Sequence, residues 1–467
     1  MMAPASMPGP AVAEAPAAII APEIAPPTSA VSAPRRLLRG ASWAIAGSIV
    51  GQGCSFLGSV VAARVLGKES YGQLALVQGT VGALSSLACL GLGVSATKYV
   101  SEYRTTDPQR AGRILGLSSM VALLAAVCFC AALIVFAPSL AITSGNSHLE
   151  PAAVRIGGIY LFFVTLNGYQ VGALVGLEAF RRIAAITAAC GLATLPVVWL
   201  LSLWLGLRGA VLAQGMTAFL LCALCHAALT QEGRVRNVAV RYRGAWQQRS
   251  ALARFSIPAT ASGIVVACAM WWCSVLLVKS HGYAELALFY AANNMRLMIV
   301  LIPSLAARVA SPLLNHMSAQ GDRAGYKRTF WMAVAANALI ALLIAGVLVL
   351  EGRHVFRLFG KEFVGPAALI LLMSAAAVGE VISSSLYQVV FTGNSLWMQL
   401  AISAVWTIVL VFASNLTIVR HGTCGLAFSY LMAWCSSAIL YAWVLRRRGF
   451  APALDRARAI GQRMEAA

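Results

Sequence analysis

The stretch YAELALFYAANNMRLMIVLIPSLAARVASPLL fills positions 283–314. Between Glu285 and Arg308 it carries one charge, Arg296, eleven residues from the first and twelve from the second. If the stretch crosses a bilayer as a helix, the guanidinium lies near the midplane. A charge there costs roughly 2.5–3.5 kcal/mol on insertion scales, so Arg296 must face protein or water rather than lipid. The fold and the function of the chain turn on what that arginine meets.

The rest of the chain supports a membrane reading. It has 467 residues, 60% hydrophobic and 11% charged, with a mean hydropathy of +0.79. A soluble domain has about 25% charged residues. About 20 apolar residues make one crossing. On that rule the sequence predicts twelve spans, at 42–63, 73–97, 114–137, 154–177, 183–206, 209–230, 255–278, 284–312, 329–350, 364–391, 396–419 and 422–445. The expected fold is all-α and polytopic.

The net charge of +20 does not form one patch. With the N-terminus inside, 24 Lys and Arg fall in cytoplasmic segments and nine outside, and Arg296 and Arg308 complete the 35. That asymmetry places both termini in the cytoplasm and is topology, not a nucleic-acid face. Residues 1–34 are Ala/Pro-rich and lack a basic n-region, and read as a disordered cytoplasmic tail rather than a signal peptide.

The longest hydrophilic interruption, 231–254, divides the spans six and six. A shift of 215 residues superposes Arg39 on Arg254, Gly67 on Gly282, Asp107 on Asp322 and Arg113 on Arg328. The expected organisation is an N-terminal lobe (35–230), a basic linker (231–254), a C-terminal lobe (255–448) and a cytoplasmic tail (449–467). Six is an even number, so both halves start on the same side. The lobes are therefore expected to be two six-helix bundles related by a pseudo-two-fold along the membrane normal.

Little in the sequence suggests catalysis. There is no G-x-x-x-x-G-K-[ST], no nucleophile–base pair and no metal constellation. The longest outer loop, about 138–153, offers Glu150 as its carboxylate. The eleven cysteines lie almost entirely in apolar runs, and the Cys222/Cys225 pair has no companion set. Neither enzyme activity, a metal nor a cofactor is expected.

Three stretches carry a resemblance. Ala63-Arg64-Val65-Leu66-Gly67-Lys68-Glu69-Ser70-Tyr71-Gly72 follows the first span, and Leu90-Gly91-Leu92-Gly93-Val94-Ser95-Ala96-Thr97-Lys98-Tyr99-Val100 closes the second. The eighth has Phe289-Tyr290-Ala291-Ala292-Asn293-Asn294-Met295-Arg296, then Ile302-Pro303 and Ser311-Pro312-Leu313. Together, over about 36–448, the chain resembles the bacterial oligosaccharide (O-antigen and exopolysaccharide) flippases. These belong to the multidrug/oligosaccharidyl-lipid/polysaccharide exporter superfamily. The resemblance implies two lobes in a V around a central cavity, in the inner membrane. It implies an undecaprenyl-pyrophosphate-linked oligosaccharide as cargo, with membrane lipids, a glycan polymerase and glycosyltransferases as candidate partners. A cation-coupled multidrug antiporter of the same fold is the alternative; a glycan polymerase or ligase is disfavoured by the short outer loops.

Candidate cavity residues follow from charge and position. Arg296 can grip two phosphate oxygens at once. Glu380 is the one charged residue between Glu362 and Arg420. It reads as a salt-bridge partner of Arg296, a protonatable coupling site, or an acceptor for sugar hydroxyls. Asn293, three residues before Arg296, shares its helix face, and Gln388 lies two turns from Glu380. Arg64 and Lys279 coincide in the internal alignment and read as interfacial anchors, an outer gate or headgroup contacts. Lys98, at the inner end of the second span, is a candidate headgroup contact. Pro303, two turns past Arg296, is a candidate hinge, with a simple kink as the plainer reading.

Overall fold

The computed structural model describes residues 33–143, 149–319, 323–391 and 396–448. Among these the chain forms ten α-helices and one short 3-10 turn, with no strand. They are α1 (Ala33–Ala88), α2 (Leu92–Tyr103), α3 (Pro108–Thr143), α4 (Pro151–Gly176) and α5 (Phe180–Val235), then α6 (Arg249–His281), α7 (Tyr283–Ala319), α8 (Arg323–Phe359), α9 (Ala367–Phe391) and α10 (Leu396–Arg448). The 3-10 turn is Ala245–Gln248.

Nine of these helices are long and apolar enough to cross a membrane. Three have spanning segments of 44, 56 and 51 residues, too long for one crossing. Each contains one glycine whose backbone is not helical: Gly67 in α1, Gly206 in α5 and Gly422 in α10. A positive φ at each lets the chain reverse within a single residue, a conformation glycine reaches without Cβ strain. Three breaks added to nine helices make the twelve spans expected from sequence.

The second expected span, 73–97, requires a correction. Its helix ends at Ala88, and α2 starts a new one at Leu92. Leu90 and Gly91 both turn left-handed, at φ 46 and 64. A leucine at positive φ runs against its intrinsic preference, so Gly91 is the one local sign of the break.

The duplication read from sequence recurs in the backbone. Helices α3 and α8 start 215 residues apart; α4 and α9, and α5 and α10, start 216 apart. Gly67 and Gly282 share a positive φ, 76 and 87. Gly206 (φ 56, ψ −132) and Gly422 (φ 53, ψ −128), 216 apart, are nearly superposable.

Packing groups the described residues into two compact units. One holds those up to Tyr290 together with Leu358–Phe363; the other holds Ala291–Arg357 and those from Val364 onward. In the first, α1 lies on α5 and α6, and α4 on α3 and α5. In the second, α9 and α10 are the principal packed pair. The lobe limits read from sequence follow the duplication rather than these packing units.

Both units expose large apolar side chains, among them Val135 and Trp204 in the first and Leu350 and Ile408 in the second. Such exposure is ruinous in water and ordinary against lipid. Helix entry is set locally as well. Asp107 Oδ1 accepts the Arg110 amide at 2.9 Å, capping α3 just before Pro108. At the start of α4, Arg208 Nε donates to Glu150 Oε2 at 2.8 Å, but both side chains are about half exposed. Solvent screens such a pair. Arg208→Gln is therefore expected to leave the thermal unfolding temperature unchanged, as read by intrinsic fluorescence.

Candidate functional site

Arg296 and Glu380 are brought together in the second unit. Arg296 projects from α7 and Glu380 from α9, and the Nη1 group donates to Glu380 Oε2 as an ion pair. Arg296 is 0% exposed and Glu380 5%. Among the described residues they are the only charged side chains in the buried class. Arg296 Nε also donates to Asn293 Oδ1 at 2.9 Å. The i, i+3 spacing puts the two on one face of α7, where they meet.

The pair is held between apolar layers. Beside it on each helix, Ile299 of α7 and Ala377 and Val381 of α9 pack with Ala341 and Ala345 of α8. On another side the guanidinium lies 5.9 Å from the Tyr430 ring of α10, within cation–π range. Tyr430 meets Trp406 edge-on at 6.1 Å, and Trp406 meets Trp434 at 5.4 Å. Sequence reasoning missed these aromatics. An aromatic in an apolar run reads as core, and only the fold shows that Tyr430 faces the cation.

Two charges moved from water into this interior each lose several kcal/mol of solvation, which their attraction offsets only with good geometry and further hydrogen bonds. Asn293 supplies such a hydrogen bond, and the Tyr430 ring adds a cation–π contact. The arrangement offers a guanidinium that could exchange a protein carboxylate for another anion, and a carboxylate that could exchange it for a proton or hydroxyl.

The other expected site residues lie elsewhere. Arg64, exposed, donates from Nε to the Leu358 carbonyl at 2.6 Å within the first unit. Lys279 is exposed in the last turn of α6. Each stands three residues before a positive-φ glycine, Gly67 or Gly282. Lys98 sits on α2 with its ammonium 5.3 Å from the Tyr99 ring. Tyr99 and Tyr103 lie parallel, centroids 6.2 Å apart, and Arg110 covers Tyr103 at 4.2 Å. Burial, and then Glu102, push the Tyr103 phenol above its ordinary range, against the opposing pull of Arg110. Pro303 lies within α7, which continues through it as one helix. Gln388 lies on α9, but its side chain falls outside the described residues. Among the described residues no group of His, Cys, Asp and Glu could hold a metal ion.

Comparison with known proteins places this geometry in a context. The model of a family described as polysaccharide biosynthesis protein matches residues 37–318. The EPS I polysaccharide export inner membrane protein EpsE of Ralstonia nicotianae is 24% identical over 418 residues, covering 88% of this chain and 93% of that protein. Its counterpart in Ralstonia solanacearum is 21% identical over 394 residues, covering 83% and 88%. Among solved structures, an inward-facing multidrug resistance MATE family transporter of the MOP superfamily superposes with a TM-score of 0.72 at 15% identity, covering 88% of this chain and 98% of the other. A MOP superfamily transporter from Pyrococcus furiosus superposes at 0.64, with 15% identity and coverage of 88% and 95%. At these identities the structural likeness concerns the fold.

Proposed function

Because the chain belongs to the polysaccharide biosynthesis protein family, we propose that it is a polysaccharide-export flippase of the inner membrane. Its cargo is an undecaprenyl-pyrophosphate-linked oligosaccharide repeat unit, moved from the inner to the outer leaflet by alternating access between two lobes, 35–230 and 255–448. The observation that carries the reading is the buried pair of Arg296 and Glu380 in the middle of α7 and α9. A chain keeps a mid-span ion pair against its desolvation cost when the charges have work to do.

In this mechanism Arg296 exchanges Glu380 for the pyrophosphate. A guanidinium binds two phosphate oxygens in parallel, and in a narrow dehydrated site that attraction is weakly screened. Glu380 holds the guanidinium in the absence of cargo and takes it back on release. Asn293 orients it by accepting from Nε. The sequence has no P-loop, so the driving force comes from an ion gradient or from removal of cargo outside. Membrane lipids surround the protein, and a glycan polymerase and glycosyltransferases are its working partners.

The test is deletion with complementation. Loss of the protein is expected to stop surface glycan and to trap the lipid-linked intermediate on the inner leaflet. Unchanged glycan with altered drug tolerance would instead establish the second reading, a cation-coupled multidrug antiporter.

A further inference from the structure

Beyond the transport reading, the segment between α5 and α6 has an unusual seat. After Val235 the chain turns at Asn237, with φ 58, and runs back along the start of α3. The Arg241 amide donates to the Gly112 carbonyl at 2.9 Å. A Cβ on Gly112 would collide with the Ala239 carbonyl, and one on Gly116 with the Arg241 carbonyl. A Cβ on Gly233 would lie 2.6 Å from the Val238 carbonyl. Three glycines thus open a groove for an extended strap, and Val238 and Ala245, each 1% exposed, peg it down. The Gly112-x-x-x-Gly116 pair, a pattern that elsewhere brings helices together, here seats an irregular segment.

The depth of the strap follows from what it crosses. Arg113 is the last charge before an uninterrupted uncharged run that begins at Ile114. The strap crosses α3 at Gly112 and Gly116, on the border between charged and apolar sequence, which is the headgroup level. Its outward side carries Arg234, Arg241 and Arg243, all exposed, beside Tyr242 and Trp246, each 62% exposed, and Val235, 72% exposed. Among the described residues none of these three arginines forms an ion pair with a carboxylate. Amphipathic aromatics beside unneutralised guanidinium groups are the side chains that settle at a charged lipid interface.

We propose that the strap 236–248, with Arg234 at its root, is a binding surface for anionic phospholipid headgroups, pinned to α3 so that its arginines and Trp246 enter the headgroup layer together. The strap's helical neighbours both enter the membrane, so lipid is the partner that this surface meets throughout the protein's life. The inference needs the strap to lie at a membrane surface and does not need the identity of the cargo.

The experiment uses the full-length protein in nanodiscs of phosphatidylcholine with and without phosphatidylglycerol. Lipid association is measured with spin-labelled phosphatidylglycerol. The wild type is expected to enrich the anionic lipid, and the enrichment is expected to fall as salt is raised. The triple variant Arg234→Gln, Arg241→Gln, Arg243→Gln is expected to lose about fivefold for each arginine, from about 1 kcal/mol per basic residue at an anionic surface. The variant Arg208→Gln, Arg353→Gln changes exposed charge elsewhere and is expected to retain the enrichment. Equal enrichment in the wild type and the triple variant would overturn the proposal. So would a triple variant that loses a soluble protein partner while keeping its lipid preference. Failure of glycan transport leaves this readout untouched, so the two ideas fail separately.

Discussion

Arg296→Ala is expected to abolish translocation of the lipid-linked oligosaccharide and to lower the stability of the protein at the same time. The stability loss has a simple source. The substitution leaves the Glu380 carboxylate, 5% exposed, without the guanidinium that compensates its burial. Breaking a buried pair on one side typically costs about 3–5 kcal/mol. The transport loss is expected to be larger than stability alone explains. If the guanidinium gives the pyrophosphate two charge-assisted hydrogen bonds of about 1.5–3 kcal/mol each, their removal costs two orders of magnitude or more in rate. The double variant Arg296→Met, Glu380→Leu separates the two effects. Apolar replacement of both members of a buried pair is often neutral or stabilising, so unfolding temperature should recover. Transport should not recover, because no cation remains to meet the cargo. A double variant that folds and transports would show that the pair is purely structural, and the proposed mechanism would fall. Arg296→Lys keeps the charge but loses the planar fork, and is expected to fall between the wild type and the alanine variant. The readouts are thermal unfolding of the purified protein and lipid-linked oligosaccharide movement in proteoliposomes.

Different features of this site differ in how far the sequence announces them. That Arg296 faces away from lipid was legible, because a charge eleven and twelve residues from the nearest others lies near mid-membrane; that it meets protein rather than water was not. Glu380 was legible as the lone charge of its span, with a salt bridge to Arg296 as one of three readings, and a contact across 84 residues of chain required the fold to bring it about. The Tyr430, Trp406 and Trp434 cluster was not legible, since nothing in α10 marks those rings apart from the apolar residues around them. The span count was legible from hydropathy, whereas the glycines that reverse the chain inside the long helices, Gly206 and Gly422, were recognised only from their backbone angles. The break at Leu90 was missed because the apolar run continues through it and Gly91, which turns left-handed there, was read as part of the span. The strap was hidden for a related reason. Glycines inside a helix suggest helix-on-helix contact, and only coordinates reveal that Gly112 and Gly116 receive an extended segment.

The turn glycines that carry the duplication lead to the second large expected effect. Gly209→Ala and Gly425→Ala should each destabilise the protein by about 1–3 kcal/mol, the usual cost of forcing an atom into a filled site. Each glycine lies three residues past a break, at Gly206 or Gly422, and each approaches the carbonyl of the residue eight positions before it, Leu201 or Thr417. An added Cβ would overlap that backbone oxygen, and backbone yields less readily than a side-chain tip. In the second half the same corner is tied by Thr417 Oγ1, which donates to the Gly425 carbonyl at 2.9 Å and lies 3.0 Å from Ser429 Oγ. Displacing Gly425 therefore disturbs a polar contact as well as the packing. Gly206→Ala should be destabilising for another reason. A Cβ there has open space, but φ 56 with ψ −132 is a conformation that L side chains rarely adopt. Gly53→Ala is the control: it lies within α1 with nothing near its Cβ position and no positive φ, so it should be neutral or slightly stabilising. The ordering to look for in thermal unfolding is Gly53→Ala most stable, with the three corner variants well below it and Gly209→Ala and Gly425→Ala close together. Matched losses at positions 216 apart would mean that the two halves still obey one backbone constraint. A neutral Gly425→Ala beside a damaging Gly209→Ala would mean that the halves share ancestry of sequence but no longer share the same close-packed corner.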